Sequence, residues 1–270
     1  MLPQGTLLSL VSRTCCLLTL LLLIAHDSSG DARVNNTNLS LSTFSQTLSG
    51  GSVFTRLPTE RSGQLESKLR QITGLPELRF AEGVLRLNSA NISGGSKSAR
   101  ALLEKTLQGD AVIVIEDASR RPDVVFARVG LARDSTLNVF VLQLDFADFE
   151  FLMGDEPALK AFDVGWAFLH ELDHVVEDSN DSTSRNEIGE CEVHINQMRE
   201  ECNLPLRADY FHTPIPRSTD SEFTSRFVRL PFVRKTGIAN KQKRYWVIWD
   251  AAIVGGLEEH RPKTWSLTSL

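Results

Sequence analysis

The sequence predicts an α+β fold, in which a small antiparallel or mixed sheet packs on two helices and a β-hairpin lies at the C-terminal end. Three observations lead to this prediction. Strand-like apolar runs fill the middle of the chain, two long helical patterns follow them, and two further β-rich runs come near the end. Strands and helices segregated along the chain in this way are typical of α+β proteins, whereas regular alternation would indicate an α/β sheet.

The composition indicates a globular protein with one sizeable core. The chain has 270 residues, of which 41% are hydrophobic and 23% are charged, and these are ordinary proportions for a folded domain. Its formal net charge is −5. Proteins that bind nucleic acid usually carry an excess of positive charge, so we expect no nucleic acid as a partner.

Residues 1–30 have the pattern of a secretory signal peptide. Arg13 is the only charged residue before Asp27, and an apolar run over 15–25 precedes small residues suited to cleavage before Asp31. The sequence therefore predicts a secreted or periplasmic mature protein. An uncleaved anchor is the alternative, although the apolar run is short for a membrane span.

The rest of the chain divides into an arm and one domain. Residues 31–63 are rich in Ser, Thr, Asn and Gly and have no sustained helical period. This composition is typical of flexible linkers, so we expect a flexible arm. We expect a single folded domain over residues 64–270.

Within this domain, helical spacing predicts a helix over 96–109 that Gly109 ends. Three strand-like runs come next, at 111–117, 123–129 and 137–146. Apolar residues at helical spacing then predict two longer helices, over 156–178 and 185–205. The two β-rich runs of the C-terminal hairpin flank a turn at 237–240.

The first of the two longer helices carries His170 and His174, with Glu171 directly after the first histidine. Histidines four residues apart project from one helix face with Cβ atoms about 5–6 Å apart, so both rings can bind one zinc ion. Glu171 lies further round the helix, where a carboxylate can take a proton from a zinc-activated water. The spacing therefore indicates a zinc hydrolase. The alternative is an amphipathic helix whose histidines contact solvent or Glu177 and Asp178.

Through the residues HELDH at 170–174, the chain resembles the zincin metallopeptidases. The resemblance implies Zn²⁺ as the cofactor, His170 and His174 as ligands, Glu171 as the catalytic base, and a protein or peptide substrate. Asp173 departs from the family pattern, which usually has uncharged residues at this place. We expect Asp173 to point away from the metal.

The third ligand separates the subclasses of this family. The metzincin extension would need glycine at 177 and histidine at 180, where the chain has Glu177 and Asn180. Gluzincin-like members instead take a glutamate from a second helix, often with Asp or Asn four residues later. Glu192 and Asn196 match this pattern, so the resemblance implies Glu192 as the third ligand.

An apolar stripe on the second helix agrees with this choice. The stripe comprises Ile188, Cys191, Ile195, Met198 and Cys202. We expect it to pack on the first helix, with Glu192 at one border and Glu187 and His194 at the other. His194 and then Glu187 stay open as alternative ligands, and solvated surface charge is the ordinary role of a helix glutamate.

Two aromatic residues just past the second helix, Tyr210 and His212, are the nearest tyrosine or histidine candidates for an oxyanion donor. A hydrolase needs such a donor at the carbonyl under attack. We nevertheless expect Tyr210 to pack against the core.

The C-terminal hairpin region is basic and suggests a second hypothesis. Between Phe223 and Trp249 there are seven basic residues and no acidic one. Such cations usually protect edge strands from aggregation. An anionic partner, such as a lipid headgroup or a cell-wall polymer, would make the chain a non-catalytic secreted zinc-containing binding protein. A secreted scaffold without metal is a third hypothesis.

Cleavage of the signal peptide would leave two cysteines, Cys191 and Cys202. Eleven residues of continuous helix would separate them by about 16 Å. A disulfide needs Cα atoms about 4.4–6.8 Å apart. We therefore expect reduced, buried thiols.

Overall fold

The computed structural model describes residues 51–132, 138–185, 187–215, 226–235 and 241–255. The predicted signal peptide, residues 31–50 of the predicted arm and the predicted turn at 237–240 lie outside these ranges. The described residues fall within one unit, Gln46–Leu270. No helix among them is both long and apolar enough to span a membrane.

The α+β prediction is confirmed by the presence of helices together with mixed and antiparallel sheets. The helices in the described ranges are α1 (Thr59–Thr73), α2 (Lys97–Gln108), α3 (Phe146–Glu150), α4 (Glu156–Lys160), α5 (Val164–Glu177) and α6 (Glu190–Glu201). The strands are β1 (Ser52–Thr55), β2 (Arg79–Ala81), β3 (Val84–Arg86), β4 (Val112–Asp117), β5 (Ala127–Leu131), β6 (Val139–Leu144), β7 (Met153–Gly154), β8 (Leu206–Arg207), β9 (Thr213–Pro214), β10 (Phe227–Lys235) and β11 (Gln242–Asp250).

The first sheet has the strand order β2-β3-β1-β4-β6-β5. Its strands β1, β4 and β6 are parallel, whereas β5 is antiparallel to β6 and lies at an edge. Helices α1, α2 and α5 supply fully buried side chains to the main core, among them Leu65, Leu103 and Leu169. Burial of each such side chain stabilises the fold by about 1.5–3 kcal/mol. Because it contains both parallel and antiparallel pairs, the first sheet is mixed. The helix that carries the histidines, α5, packs against its strands β5 and β6.

The predicted boundary of the arm at residue 63 is wrong, because β1 and the first turn of α1 lie before it. Val53 is fully buried and pairs with Ile113 of β4. A side chain at Gly51 would lie 2.0 Å from the carbonyl oxygen of Thr106, so the chain can enter the sheet here only as glycine. The strand has four residues, too few for its pattern to be recognised within a polar segment.

The second sheet contains the C-terminal hairpin. Strands β10 and β11 pair in antiparallel register from Phe227↔Asp250 to Lys235↔Gln242, and β7, β8 and β9 add short segments. One face of the hairpin forms a second core around Phe232 and Trp249, on which Ala161 packs. This contact fixes the chain just before α5 begins.

The helix predicted over 156–178 is divided in two at Asp163. This residue has an extended backbone, and its Oδ1 accepts hydrogen bonds from the backbone N–H groups of Gly165 and Trp166. Such an N-cap satisfies the first donors of a helix, so a new helix starts here. The strand predicted at 123–129 also begins later, at Ala127, after a left-handed backbone at Phe126 (φ 64°).

Candidate metal centre

Helix α5 presents its two histidines at the wall of a cavity. Phe168, Leu169 and Leu172 are fully buried in the core, which holds the helix in place. His170 and His174 are partly exposed, and their rings meet edge to face with centroids 4.8 Å apart. Their Nε2 atoms are 3.3 Å apart. Two imidazole nitrogens therefore approach a common point.

A turn after α5 returns the chain to these histidines. Asp178 ends the helix with a left-handed backbone (φ 53°, ψ 31°). Three residues later, Oδ1 of Asp181 lies 3.1 Å from Nε2 of His170 and 3.4 Å from Nε2 of His174. Asp181 also forms a β-bridge with Gly189, directly before α6. The loop is thus held between the two helices.

The spacing of these three atoms fits a metal ion. A tetrahedral zinc site with bonds of about 2.0–2.2 Å has ligand atoms about 3.3–3.6 Å apart, and the three separations are 3.1, 3.3 and 3.4 Å. Oδ1 of Asp181 is buried, and the two Nε2 atoms face it. A buried carboxylate oxygen needs a positive partner, which a protonated histidine or a cation between the three atoms would supply.

The other ring nitrogens have neighbours that leave the Nε2 atoms available. Nδ1 of His174 lies 2.8 Å from the carbonyl oxygen of Ser179, which can only accept, so Nδ1 carries the proton. Nδ1 of His170 faces Sγ of Cys191 at 3.3 Å and Oε2 of Glu192 at 3.6 Å. Oxygen acceptors at the second nitrogen are the usual outer partners of metal-binding histidines.

The structure does not bring Glu192 to the position of a third ligand, so this part of the predicted site needs correction. Glu192 is fully buried and pairs with Arg199 and Arg207. Its approach to His170 is on the Nδ1 side, away from Asp181. Burial opposes the charge of Glu192, but the two guanidinium groups outweigh it and lower its pKa. Because α6 begins only at Glu190, Glu192 lies in its first turn beside these arginines.

The two alternative ligands are also elsewhere. Nδ1 of His194 lies 2.9 Å from Oδ2 of Asp173, and Glu187 is exposed to solvent. Among the described residues, the group able to share a metal comprises His170, His174, Asp181 and Cys191. Neither His194 nor Glu187 belongs to it.

Cys191 is the fourth member of this group, but it contacts Nδ1 of His170 and not Nε2. Burial raises the pKa of Cys191, which favours the protonated thiol in the metal-free protein. Cys191 and Cys202 are both free, as predicted. Cys202 is only partly buried, less than predicted.

Glu171 lies on the wall of the same cavity. Burial raises the pKa of its carboxyl group, although the backbone N–H of Val129 in β5 donates a hydrogen bond to it. A carboxylate with a raised pKa accepts a proton more readily, and this is what a catalytic base requires.

Tyr210 lines the cavity, whereas His212 does not. The ring of Tyr210 stacks on His170 with centroids 6.5 Å apart, and its hydroxyl is a hydrogen-bond partner of the Asp181 carboxyl group. Burial and Asp181 raise the pKa of Tyr210, so it keeps its proton and can donate. The ring of His212 contacts Trp249 instead. Of the two candidates for an oxyanion donor, the cavity thus contains Tyr210, which we expected to pack against the core.

The protonation states of His174, Asp181 and Tyr210 depend on one another. The nearby Asp181 carboxylate raises the pKa of His174 to about 9. Burial would raise the pKa of Asp181, but the two histidines and Tyr210 hold it well below its usual range. A metal ion would displace the proton from His174, because a ligand histidine must be neutral.

The cavity that contains the group has a volume of about 560 Å³. One wall is the edge strand β5, through Ala127, Arg128 and Val129, and an apolar part includes Phe126 and Phe162. This volume is in the range typical of small-molecule and substrate sites, about 300–1,000 Å³. The cavity therefore extends from β5 to the two histidines.

Several basic residues of the hairpin contact other residues of the chain. Arg226 pairs with Asp250 at 2.6 Å, and the guanidinium groups of Arg229 and Arg244 lie 4.2 and 5.5 Å from the ring centre of Trp246. These contacts give the cations a role in the sheet itself. Contact with an anionic partner stays a prediction.

Comparison of the chain with protein-family models, curated proteins and solved structures finds no significant match.

Asp181 is the residue that sequence reasoning missed. It lies seven residues after His174, outside the spacing of either zincin subclass considered above. The available signal was a polar loop, DSNDS over 178–182, directly after the histidine helix. Such a loop contains helix-ending residues that can return a carboxylate to the helix.

Proposed function

We propose that the protein is a zinc-dependent hydrolase, and specifically a metallopeptidase, with His170, His174 and Asp181 as the zinc ligands. The observation that carries this proposal is the convergence of the two Nε2 atoms and the buried Oδ1 of Asp181, whose separations are 3.1–3.4 Å. Two imidazoles and one carboxylate are a common ligand set of catalytic zinc sites, which keep a fourth position open.

Each residue around the site has a defined task. When bound, zinc supplies Lewis-acid activation of water and of the substrate carbonyl. Glu171 accepts the proton of the attacking water and returns it to the leaving amine, for which its raised pKa is suited. Tyr210, protonated and beside His170, is the available donor to the developing oxyanion.

Strand β5 supports a peptide as the substrate. It is the edge strand of the first sheet and lines the cavity through Ala127, Arg128 and Val129. An extended peptide can add to a sheet edge through main-chain hydrogen bonds, which bind it with little dependence on its side chains. The carbonyl of such a peptide would lie close to Glu171. The predicted signal peptide makes a secreted location part of the proposal.

The proposal is tested by metal analysis of the purified mature protein. We expect about one zinc per chain in the wild type, and loss of zinc in His170→Ala, His174→Ala and Asp181→Ala. Glu177→Gln is a matched control, because Glu177 is on the same helix but pairs with Lys105. Equal zinc content in the wild type and Asp181→Ala would remove Asp181 from the site.

Catalysis is tested separately from metal binding. Glu171→Gln should keep its zinc but lose hydrolysis of a mixed peptide library by about 10²–10⁴-fold, because an amide cannot take the proton of water. If the zinc-loaded wild type and this variant hydrolyse the library equally slowly, the chain is better explained as a non-catalytic zinc-containing binding protein.

A further inference from the structure

We infer that Asp173, Ser179 and His194 form a clamp that positions the loop carrying Asp181, so that Asp181 and His174 are ready to bind the metal. This inference rests on the proposed zinc site. The three residues touch neither the metal position nor the cavity, so they are positioning residues. The clamp also accounts for Asp173, the residue at which the HELDH segment departs from the zincin pattern.

The centre of the clamp is a buried carboxylate. Asp173 has 1% of its surface exposed, although it lies directly before the ligand His174. Its Oδ2 accepts a hydrogen bond from Oγ of Ser179 at 2.6 Å and lies 2.9 Å from Nδ1 of His194. A buried carboxylate is costly unless it is paired and hydrogen-bonded. Both partners here come from outside α5.

Ser179 links this carboxylate to the metal ligands in two ways. Its backbone carbonyl oxygen accepts from Nδ1 of His174 at 2.8 Å, which sets the ring orientation and leaves Nε2 for the metal. Its side chain, bonded to Asp173, fixes the backbone two residues before Asp181. One residue thus controls both the tautomer of His174 and the approach of Asp181.

His194 connects the clamp to the second helix. Helix α6 also holds the far side of the loop, because the N–H of Cys191 donates to the carbonyl oxygen of Asn180 at 3.3 Å and Gly189 bridges to Asp181. With Asp173 contacting His194, both ends of the short 178–181 segment are tied to α6. The loop geometry therefore depends on the packing of α5 against α6.

The clamp predicts a loss of metal affinity from changes that leave the ligands intact. Ser179→Ala removes only the hydroxyl and keeps the carbonyl acceptor of His174. His194→Ala removes the partner on α6, a side chain that is 44% exposed. Outer-shell changes of this kind weaken metal binding by about 10–100-fold, and we expect this weakening of the zinc Kd in each variant.

The test measures the zinc Kd of the metal-free mature protein by competition with a chromophoric chelator, together with the melting temperature of the same sample. Ser179→Ala, His194→Ala and Asp173→Asn are compared with the wild type and with Glu177→Gln as the control. The double variant Ser179→Ala/His194→Ala should lose less than the product of the two single losses, because both act through Asp173.

The outcomes separate this inference from the proposed function. If the wild type binds zinc and Asp181→Ala does not, but Ser179→Ala and His194→Ala keep the wild-type Kd within about twofold, the clamp is refuted and the zinc site stands. Lower melting temperatures with an unchanged Kd would show that the three residues support only stability, and would refute it as well. If the wild type binds no zinc, the proposed function fails, and the clamp fails with it.

Discussion

Replacement of Glu192 by glutamine distinguishes most sharply between the ligand implied by the family resemblance and the site in the structure. If Glu192 were a zinc ligand, Glu192→Gln would abolish metal binding. In the structure this carboxylate instead lies between two guanidinium groups, and it approaches His170 only at Nδ1. We therefore expect a large loss of stability and retention of zinc.

The expected loss of stability follows from burial. Glu192 is fully buried and Arg199 has 2% of its surface exposed, so the glutamine variant leaves two guanidinium groups without their shared anion. Removing one partner of a buried ion pair costs about 3–5 kcal/mol. For a domain of this size each kcal/mol corresponds to about 2–4 °C, so the melting temperature should fall by about 6–20 °C.

The pH dependence has a defined sign. Because the folded-state pKa of Glu192 is lowered, its contribution to stability is present above the unfolded pKa of about 4.3 and is lost as pH falls below that value. Glu192→Gln should therefore differ from the wild type mainly at neutral pH and less in acid. Urea unfolding at several pH values measures this difference.

Zinc content is measured on the same samples below the melting transition. Glu192→Gln should still bind about one zinc per chain, weakened by no more than the 10–100-fold that is typical of an outer-shell change. A Glu192→Gln variant that melts like the wild type but binds no zinc, together with an Asp181→Ala variant that keeps its zinc, would contradict this assignment of the ligands. That result would restore Glu192 as the third ligand.

Three further predictions concern the metal-free site, the thiols and the first strand. Asp181 raises the pKa of His174 to about 9, so the pair stabilises the metal-free protein fully below about pH 6.5, and this stabilisation is lost as pH rises through about 9. Asp181→Asn should flatten the resulting decline in melting temperature between about pH 7 and 10. An unchanged decline in the variant would contradict the pairing of His174 with Asp181. Cys191, which is buried, should react with alkylating reagents only after denaturation, as mass spectrometry of the native protein would show, whereas a Cys191–Cys202 crosslink would require a broken α6. A chain that begins at residue 64 lacks β1 and the first turn of α1. Its circular dichroism should show less structure, and its melting should be less cooperative, than for a chain that begins at residue 51. Equal melting of the two chains would contradict the role of β1 between β3 and β4 in the first sheet.

The sequence predicts an element correctly where one short-range rule determines its structure. Ser96 caps α2 by accepting a hydrogen bond from the N–H of Ala99, and Gly109 follows its last turn, so spacing and end residues alone located this helix. The strands β4 and β6 followed from their apolar runs. The boundary of the arm failed, because β1 is recognisable as a strand only through its neighbours β3 and β4.

The approach of His170 and His174 to one point, with Glu171 beside them, was determined by the sequence. The helical period brings residues four apart to one face whatever surrounds the helix. Which third side chain lies beside the two histidines depends on the tertiary structure. Asp181 reaches the histidines because Asp178 reverses the chain and because contacts with Gly189 and with the buried Asp173 hold the loop. These contacts join α5 and α6, and no periodic pattern within either helix encodes the distance between them.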